Sequence, residues 1–277
     1  MTYPWFQLLL RLYTNMNIKW KFCSLLLFLA ALCLLFPSSA RADISPPETP
    51  PGANPQPGEE NTQVRMVSET VTLVIKEKPP SGSLGQAAVI ASFQMQNMGN
   101  TEERMQVRFP LTFPSGTHDG FGAPPEIKDI RVKVNGNSVS TTRVTTENPS
   151  KSFDFPIPWA AFEVLFPPAE PVAVEVTYTQ EGWGEYPYVV FRYLLETGAG
   201  WYGTIGSADL IVRLPYEANR QNSIFDFSIG FGQCDPGAGI EGNEMRWHYE
   251  DFEPGYDHNL DVAIVMPEAW KKILTER

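Results

Sequence analysis

The sequence predicts an all-β protein: an antiparallel β-sandwich of about twelve strands, followed by a short C-terminal helix. From residue 63 onwards, apolar and polar residues alternate with a period of two, as in strands with one buried and one wet face. Turn signals separate these runs, in a chain of 277 residues with 25 Pro and 21 Gly. No helical period interrupts them before residue 267. Two smaller sandwiches, divided near residues 149–158, are the alternative arrangement.

The first half of the predicted domain contains two turn signals that each indicate a hairpin. An Asn/Gly turn at 97–100 predicts the first hairpin, and Asn135-Gly136-Asn137 predicts the second. Pro110 closes the first, because proline cannot donate a hydrogen bond to a strand ladder. The strands expected here are 70–76, 91–96, 105–109, 130–134 and 139–146.

In the second half, the run 188–195 is almost continuously apolar, which predicts a central strand buried on both faces. It leads into a Gly-rich corner, and the cleanly alternating strand 208–214 leaves that corner. Pro267 begins the one predicted helix, 267–277, and Glu268 lies in its first turn, where an acidic residue is favourable. The remaining strands are expected at 162–166, 172–179, 224–231, 245–249 and 260–266.

Residues 1–42 predict a secretory targeting segment. Lys19 and Lys21 precede an apolar run at 22–36, and residues 40–42 supply an A-x-A cleavage site. The run is shorter than the roughly 20 apolar residues of a membrane-spanning helix. We therefore expect cleavage after Ala42, with an uncleaved membrane anchor, or a start at Met16, as alternatives. The Pro-rich residues 43–62 predict a disordered linker before the domain at 63–266.

Charge and cysteine content narrow the range of partners. The net charge is −11, and the residues after the targeting segment are more acidic than the whole. An acidic surface repels nucleic acid and anionic lipid, so contact with a membrane is expected only through an uncleaved N-terminal segment. Cleavage would leave Cys234 as the single cysteine, and no internal disulfide is expected.

Aromatic residues near the Gly-rich corner form the first candidate ligand site. Flat aromatic faces on a sheet can stack on sugar rings or anchor a protein partner. The alternative is that they pack the corner beside Gly198, Gly200 and Gly203. The candidate residues are Trp183, Tyr186, Tyr188, Trp201 and Tyr202.

An acidic segment between the last two strands is a candidate calcium site. Calcium takes about six to eight oxygen ligands, and the carboxylates within 251–261 could supply several. The spacing is not that of an EF-hand, because Gly255 would take the fifth position of such a loop and Val262 the twelfth. A solvated acidic loop is the alternative. The candidate ligands are Asp251, Glu253, Asp257 and Asp261.

Short motifs follow one another in the order Glu69…Val71…Leu73, Phe93…Asn97-x-Gly99…Val107-x-Phe109-Pro110, Thr197-Gly198…Trp201-x-Gly203-x-Ile205 and Trp247…Glu253-Pro254…Leu260-x-Val262. This order resembles that of uncharacterised secreted bacterial β-sandwich proteins, over about residues 64–266. The resemblance implies a secreted sandwich, and it brings no activity, cofactor or site residue with it.

The function expected from the sequence is a non-catalytic binding or structural module of the cell envelope or extracellular space. P-loop, nucleophile-elbow, zinc-protease and paired Cys-x-x-Cys motifs are all missing. A protein or glycan partner is expected, with no cofactor other than calcium. The alternative is a carbohydrate-active or metal-dependent hydrolase on the same fold. A cleft with two carboxylates about 5–10 Å apart would favour hydrolysis, whereas Trp and Tyr on a flat face would favour binding.

Overall fold

The computed structural model of the chain describes residues 62–111, 126–146, 156–193, 195, 198, 200–224, 238–254 and 260–276. The predicted targeting segment, the linker up to residue 61 and most of the strand expected at 224–231 lie outside the described residues. Within the ranges given above, no helix is long and apolar enough to cross a membrane.

The described residues form fourteen strands and one helix, so the all-β prediction is confirmed. The helix α1 (Pro267–Thr275) begins at its proline, as predicted, and buries Ala269 and Trp270 in the core. The strands are β1 (Val64–Ile75), β2 (Gln86–Asn97), β3 (Glu103–Pro110), β4 (Lys128–Val134), β5 (Asn137–Val139), β6 (Thr142–Thr146), β7 (Ile157–Phe166), β8 (Pro171–Glu181), β9 (Tyr188–Tyr193), β10 (Ile205–Arg213), β11 (Ser223–Ile224), β12 (Gly239–Glu241), β13 (Glu244–Phe252) and β14 (Leu260–Val265).

Eight strands form one large sheet in the order β12-β13-β10-β1-β2-β8-β4-β5. Its side chains alternate as the sequence predicts: Leu73 and Phe93 face the core, whereas Thr70 and Thr72 lie on the outer face. Both edges of this sheet are strands of only three residues, β12 and β5. Such short edges offer few free backbone groups to a pairing chain.

Two three-stranded sheets, β3-β7-β6 and β11-β14-β9, complete the sandwich. Phe109 on β3, Phe166 on β7 and Phe191 on β9 are fully buried, and they share one apolar core with Phe93 of the large sheet. Burial of each such side chain contributes roughly 1.5–3 kcal/mol. This shared core is therefore the main force that holds the three sheets together.

The hairpin predicted around residues 97–100 is wrong. β2 pairs with β1 and β8 in the large sheet, whereas β3 pairs with β7 in a small sheet. The buried Asn97 amide donates to the carbonyl oxygens of Thr101 and Phe166 at 2.8 and 2.9 Å. Its Oδ1 accepts from the Gly99 N–H at 2.8 Å. Asn97 thus fastens a crossing between layers, and the Asn/Gly pattern serves that crossing rather than a tight turn.

The second predicted hairpin is confirmed, but its return strand is shorter than expected. Asn135 and Gly136 have φ angles of 49° and 79°, as a two-residue type I′ turn requires, and β4 pairs with β5. The chain then leaves the large sheet, and β6 pairs with β7. The single strand predicted over 139–146 is therefore divided between two sheets.

β9 is buried on both faces, as predicted, but it is not a central strand. It pairs with β14 on one side. On its other side, the pairing among the described residues is a single bridge between Val190 and Trp183. A small apolar cluster of Trp183, Val190 and Ala263 covers its second face. Its burial therefore comes from packing on both faces rather than from two neighbouring strands.

β1 and β10 run parallel, which the sequence did not predict. Near the start of this pairing, a Cβ added at Gly206 would lie 2.3 Å from the carbonyl oxygen of Val67. The register between β1 and β2 shifts between Met66 and Ser68, so Val67 belongs to a bulge. Glycine is needed at position 206 because the bulged backbone approaches β10 too closely for a side chain.

Candidate functional site

The five aromatic candidates separate into two buried and three exposed side chains. Trp201 is in the core, with its ring 6.1 Å from that of Phe166, and Trp183 is equally buried. Tyr186, Tyr188 and Tyr202 are 62%, 38% and 44% exposed. The two tryptophans therefore pack the fold, and the tyrosines remain as surface residues.

The exposed tyrosines do not form one surface. The Tyr202 N–H donates to the Val64 carbonyl oxygen at 2.9 Å, at the start of β1. Tyr186 lies beside segment 78–84, which follows the other end of β1. A strand of 12 residues spans about 40 Å. Tyr186 and Tyr188, on either side of the cis-proline Pro187, are thus far from Tyr202.

Tyr186 stands at a groove with a volume of about 370 Å³. One wall is the segment from Lys78 to Leu84, and the other is the start of α1, from Met266 to Glu268. Prolines and other apolar groups alternate with serines and two charged side chains. The described residues that line the groove are Lys78, Pro79, Pro80, Ser81, Gly82, Ser83, Leu84, Tyr186, Met266, Pro267 and Glu268.

A hydrogen bond and an ion pair fix the two walls of the groove relative to each other and to the residues around Tyr186. The Met266 N–H donates to the Pro187 carbonyl oxygen at 2.8 Å, which fixes the start of α1 beside Tyr186. An ion pair between Glu77 and Lys271 joins the 78–84 wall to α1. The hydrogen bond from Lys271, and then its charge, lower the pKa of Glu77, so this pair is ionised at neutral pH.

Glu181 fixes the far end of the 78–84 wall. The Ser83 hydroxyl lies within hydrogen-bond distance of Glu181 and of the Gly85 carbonyl oxygen, and its single proton can be donated to either; the Gln86 amide donates to Glu181 at 2.7 Å. Burial alone would raise the pKa of Glu181, but the hydrogen bonds from Ser83, Gln86 and Lys128 together hold it below its ordinary value. The wall therefore rests on an ionised, well-bonded carboxylate.

The three acidic candidates that lie in the described residues are not brought together. Asp261 is fully buried on β14 and faces Arg192, whereas the Asp251 side chain is 82% exposed and accepts from Arg65 Nη2 at 3.1 Å. Glu253 is exposed in the loop after β13, and Asp257 lies outside the described residues. In the described part of the chain, no three His, Cys, Asp or Glu side chains are placed to share a metal ion.

Arg192 instead contacts one residue from each candidate group, Asp261 of the acidic residues and Trp183 of the aromatic residues. Its Nε and Nη2 donate to the two carboxylate oxygens of Asp261, the second at 3.0 Å. Its guanidinium carbon lies 5.6 Å from the ring centroid of Trp183, a cation–π distance. Arg192 was not among the predicted site residues, although a lone arginine within the apolar run 188–195 is a visible signal. This cluster is an internal support of β9 and β14.

A second buried polar cluster lies between the layers. The Tyr193 hydroxyl donates to Glu69 Oε1 at 2.7 Å, and both residues are buried. Burial, and then the charge of Glu69, raise the pKa of Tyr193 and of Tyr178 well above the ordinary value. Both tyrosines therefore remain protonated. Glu69 takes a core-facing position of β1 that simple alternation assigns to an apolar residue.

On the outer face, His248 of β13 lies between two carboxylates. Its Nδ1 is 3.0 Å from Asp209 Oδ1 and its Nε2 is 3.2 Å from Glu250 Oε1. Both ring nitrogens can donate only in the protonated imidazolium. The hydrogen bonds to Glu250 and then Asp209 raise the pKa of His248 above 6.5.

This raised pKa predicts a pH dependence with a definite sign. The stabilisation is fully present below pH 6.5, the ordinary value, and is lost as the pH rises through the higher pKa of the folded protein. An NMR titration of His248 should give a midpoint above 6.5, and Asp209→Asn should lower that midpoint. A wild-type midpoint at or below 6.5 would contradict the geometry.

No protein-family model and no curated protein matches this sequence. Among solved structures, the chain is similar to a protein of Legionella pneumophila that is provisionally described as nutrient-binding, with 21% identity, a TM-score of 0.55 and coverage of 76% of this chain and 70% of that one. An M1 zinc metallopeptidase of Deinococcus radiodurans has 9% identity and a TM-score of 0.34, with coverage of 73% and 42%. That score is too low to support an argument. At 21% identity, the Legionella structure shows a shared fold and nothing finer.

Proposed function

We propose that this protein is an exported, non-catalytic binding module of the cell envelope or extracellular space, and that its ligand binds in the groove beside Tyr186. One observation carries the proposal: the most exposed of the candidate aromatic side chains stands at a groove of ligand size. Small-molecule sites typically have volumes of about 300–1,000 Å³, and this groove has about 370 Å³. The targeting segment predicted at residues 1–42 supports export.

The chemistry of the groove favours binding over hydrolysis. Glycoside hydrolysis by the common mechanisms uses two carboxyl groups that flank the scissile bond. Glu268 is the one carboxylate among the described residues that line the groove. The description of the Legionella protein as nutrient-binding is in keeping with a binding role for this fold.

Tyr186 supplies the recognition surface. Its flat, exposed ring can stack on a sugar ring or on an apolar side chain of a partner, and its hydroxyl can form a hydrogen bond at the rim. Leu84, on the facing wall, is also exposed and adds an apolar contact. Ser81 of that wall offers a hydroxyl group to a polar ligand. A glycan or peptide of modest size therefore suits the site.

Tyr186→Ala is expected to weaken ligand binding at least tenfold, because removal of a central aromatic contact typically costs at least about 1–2 kcal/mol. The measurement is titration calorimetry with the best ligand from a panel of mono- and disaccharides, amino acids and dipeptides. Tyr202→Ala is the matched control, since Tyr202 is an exposed tyrosine at the opposite end of β1. Equal losses of ligand affinity in the two variants, or no loss in either, would contradict the proposal.

A further inference from the structure

Two opposite charges face the groove from its two walls. Lys78 lies on the 78–84 wall and Glu268 lies in the first turn of α1. Both residues are exposed, and in the described part of the chain neither forms an ion pair. By contrast, Glu77, next to Lys78, forms an ion pair across the same two walls with Lys271, about one helical turn after Glu268. The groove thus keeps one cation and one anion for a ligand.

The two walls carry opposite charges even when the partial positive charge at the N-terminus of α1 is included. The N-terminus of a helix carries about half a positive charge, which opposes Glu268. A full negative charge on Glu268 exceeds that half charge, so the α1 wall remains negative. The other wall carries Lys78, and Glu77 beside it is already neutralised by Lys271. A ligand that spans the groove therefore meets a positive and a negative end.

The rest of the lining combines apolar residues with Ser81, Gly82 and Ser83. Pro79, Pro80 and Leu84 lie on one side, and Met266 and Tyr186 on the other. A molecule with a carboxylate at one end, an ammonium at the other and an apolar body between them would match both charges and the apolar part of this lining. Short peptides with both termini free have this chemistry, whereas in a free α-amino acid both charged groups are bonded to the same carbon. A neutral sugar carries no charge that could pair with either residue.

We propose that the groove binds short zwitterionic peptides, with the ligand carboxylate at Lys78 and the ligand ammonium at Glu268. This inference rests on the proposed function, since it names the ligand class of the same groove. Charged hydrogen bonds are about twice as strong as neutral ones. Each of the two ends is therefore expected to matter more than a typical polar contact at the rim.

The test uses the full chain and calorimetric titration with each standard L-amino acid and each Ala-X dipeptide. For the tightest ligand, N-acetylation and C-terminal amidation are each expected to weaken binding at least tenfold. Lys78→Gln should remove the effect of amidation, and Glu268→Gln should remove the effect of acetylation. Lys272→Gln is the control, because Lys272 is an exposed cation of α1 that does not line the groove.

The outcomes separate the two proposals. If maltose or another neutral sugar binds and Tyr186→Ala abolishes that binding, the groove is a binding site but the zwitterion assignment is wrong. Capped and free peptides that bind equally well would also overturn the assignment. Absence of binding by every amino acid, dipeptide and sugar would overturn both proposals.

Discussion

Asp261→Ala is expected to lower the free energy of unfolding by about 3–5 kcal/mol, the typical cost of removing one partner from a buried ion pair. The side chains of Arg192 and Asp261 are 3% and 0% exposed. The substitution removes the carboxylate that accepts two hydrogen bonds from the buried guanidinium. It also removes the anchor that holds Arg192 over the ring of Trp183. Urea unfolding followed by tryptophan fluorescence measures the loss.

A double variant separates the effect of the two charges on stability from the effect of the volume that the two side chains fill. Arg192→Met with Asp261→Leu replaces both charges by apolar groups of similar length, and such replacements of buried pairs are often neutral or stabilising. We expect it to recover most of the stability lost in Asp261→Ala. Glu244→Ala is the exposed control, because its pair with Arg213 lies on the surface and contributes at most about 1 kcal/mol. Similar losses for Glu244→Ala and Asp261→Ala would show that burial of the pair is unimportant.

Gly206→Ala is expected to destabilise the protein by about 1–3 kcal/mol or more, because the added methyl group meets backbone rather than a movable side chain. The added Cβ would lie 2.3 Å from the Val67 carbonyl oxygen. Relief of that contact requires β1 and β10 to separate. We therefore also expect faster hydrogen exchange at the β1 amides near the bulge.

Gly239→Ala provides the comparison for a strand glycine without such a contact. Gly239 lies in the edge strand β12, and its nearest neighbour to an added Cβ is the Arg246 carbonyl oxygen at 3.9 Å. The expected change in the free energy of unfolding is within about 0.5 kcal/mol. Equal stability of the two variants would be evidence against the close approach of β1 and β10.

Alternation predicted the strands because burial of one face imposes it locally on the sequence. Pairing partners depend on residues far along the chain, and here local patterns were misleading. The Asn/Gly segment at 97–100 has the composition of a hairpin turn, yet the buried amide of Asn97 binds Phe166, 69 residues away. The parallel pairing of β1 with β10 has no local signature at all. Strand positions could therefore be predicted, and sheet membership could not.

The same limit applies to the sites. Trp201 and Tyr186 are both aromatic residues near glycines, but one fills the core and the other is largely exposed, and residue type does not distinguish these positions. Asp261 belonged to an acidic segment in the sequence, whereas its partner Arg192 is 69 residues away. The groove joins a loop near residue 80 to a helix near residue 267. Tyr186 was predictable as a candidate, but the wall opposite it was not.

The parallel neighbour of β1 has a consequence for how the chain acquires its structure. β1 is the first of the described strands to be synthesised, and its Arg65 bonds to Thr204, 139 residues later. A nascent chain therefore cannot close the middle of its largest sheet until about three-quarters of its length exists. Contacts of such high sequence separation slow folding. For the export that we propose, slow closure of this sheet would help the chain to stay unfolded until it has crossed the membrane.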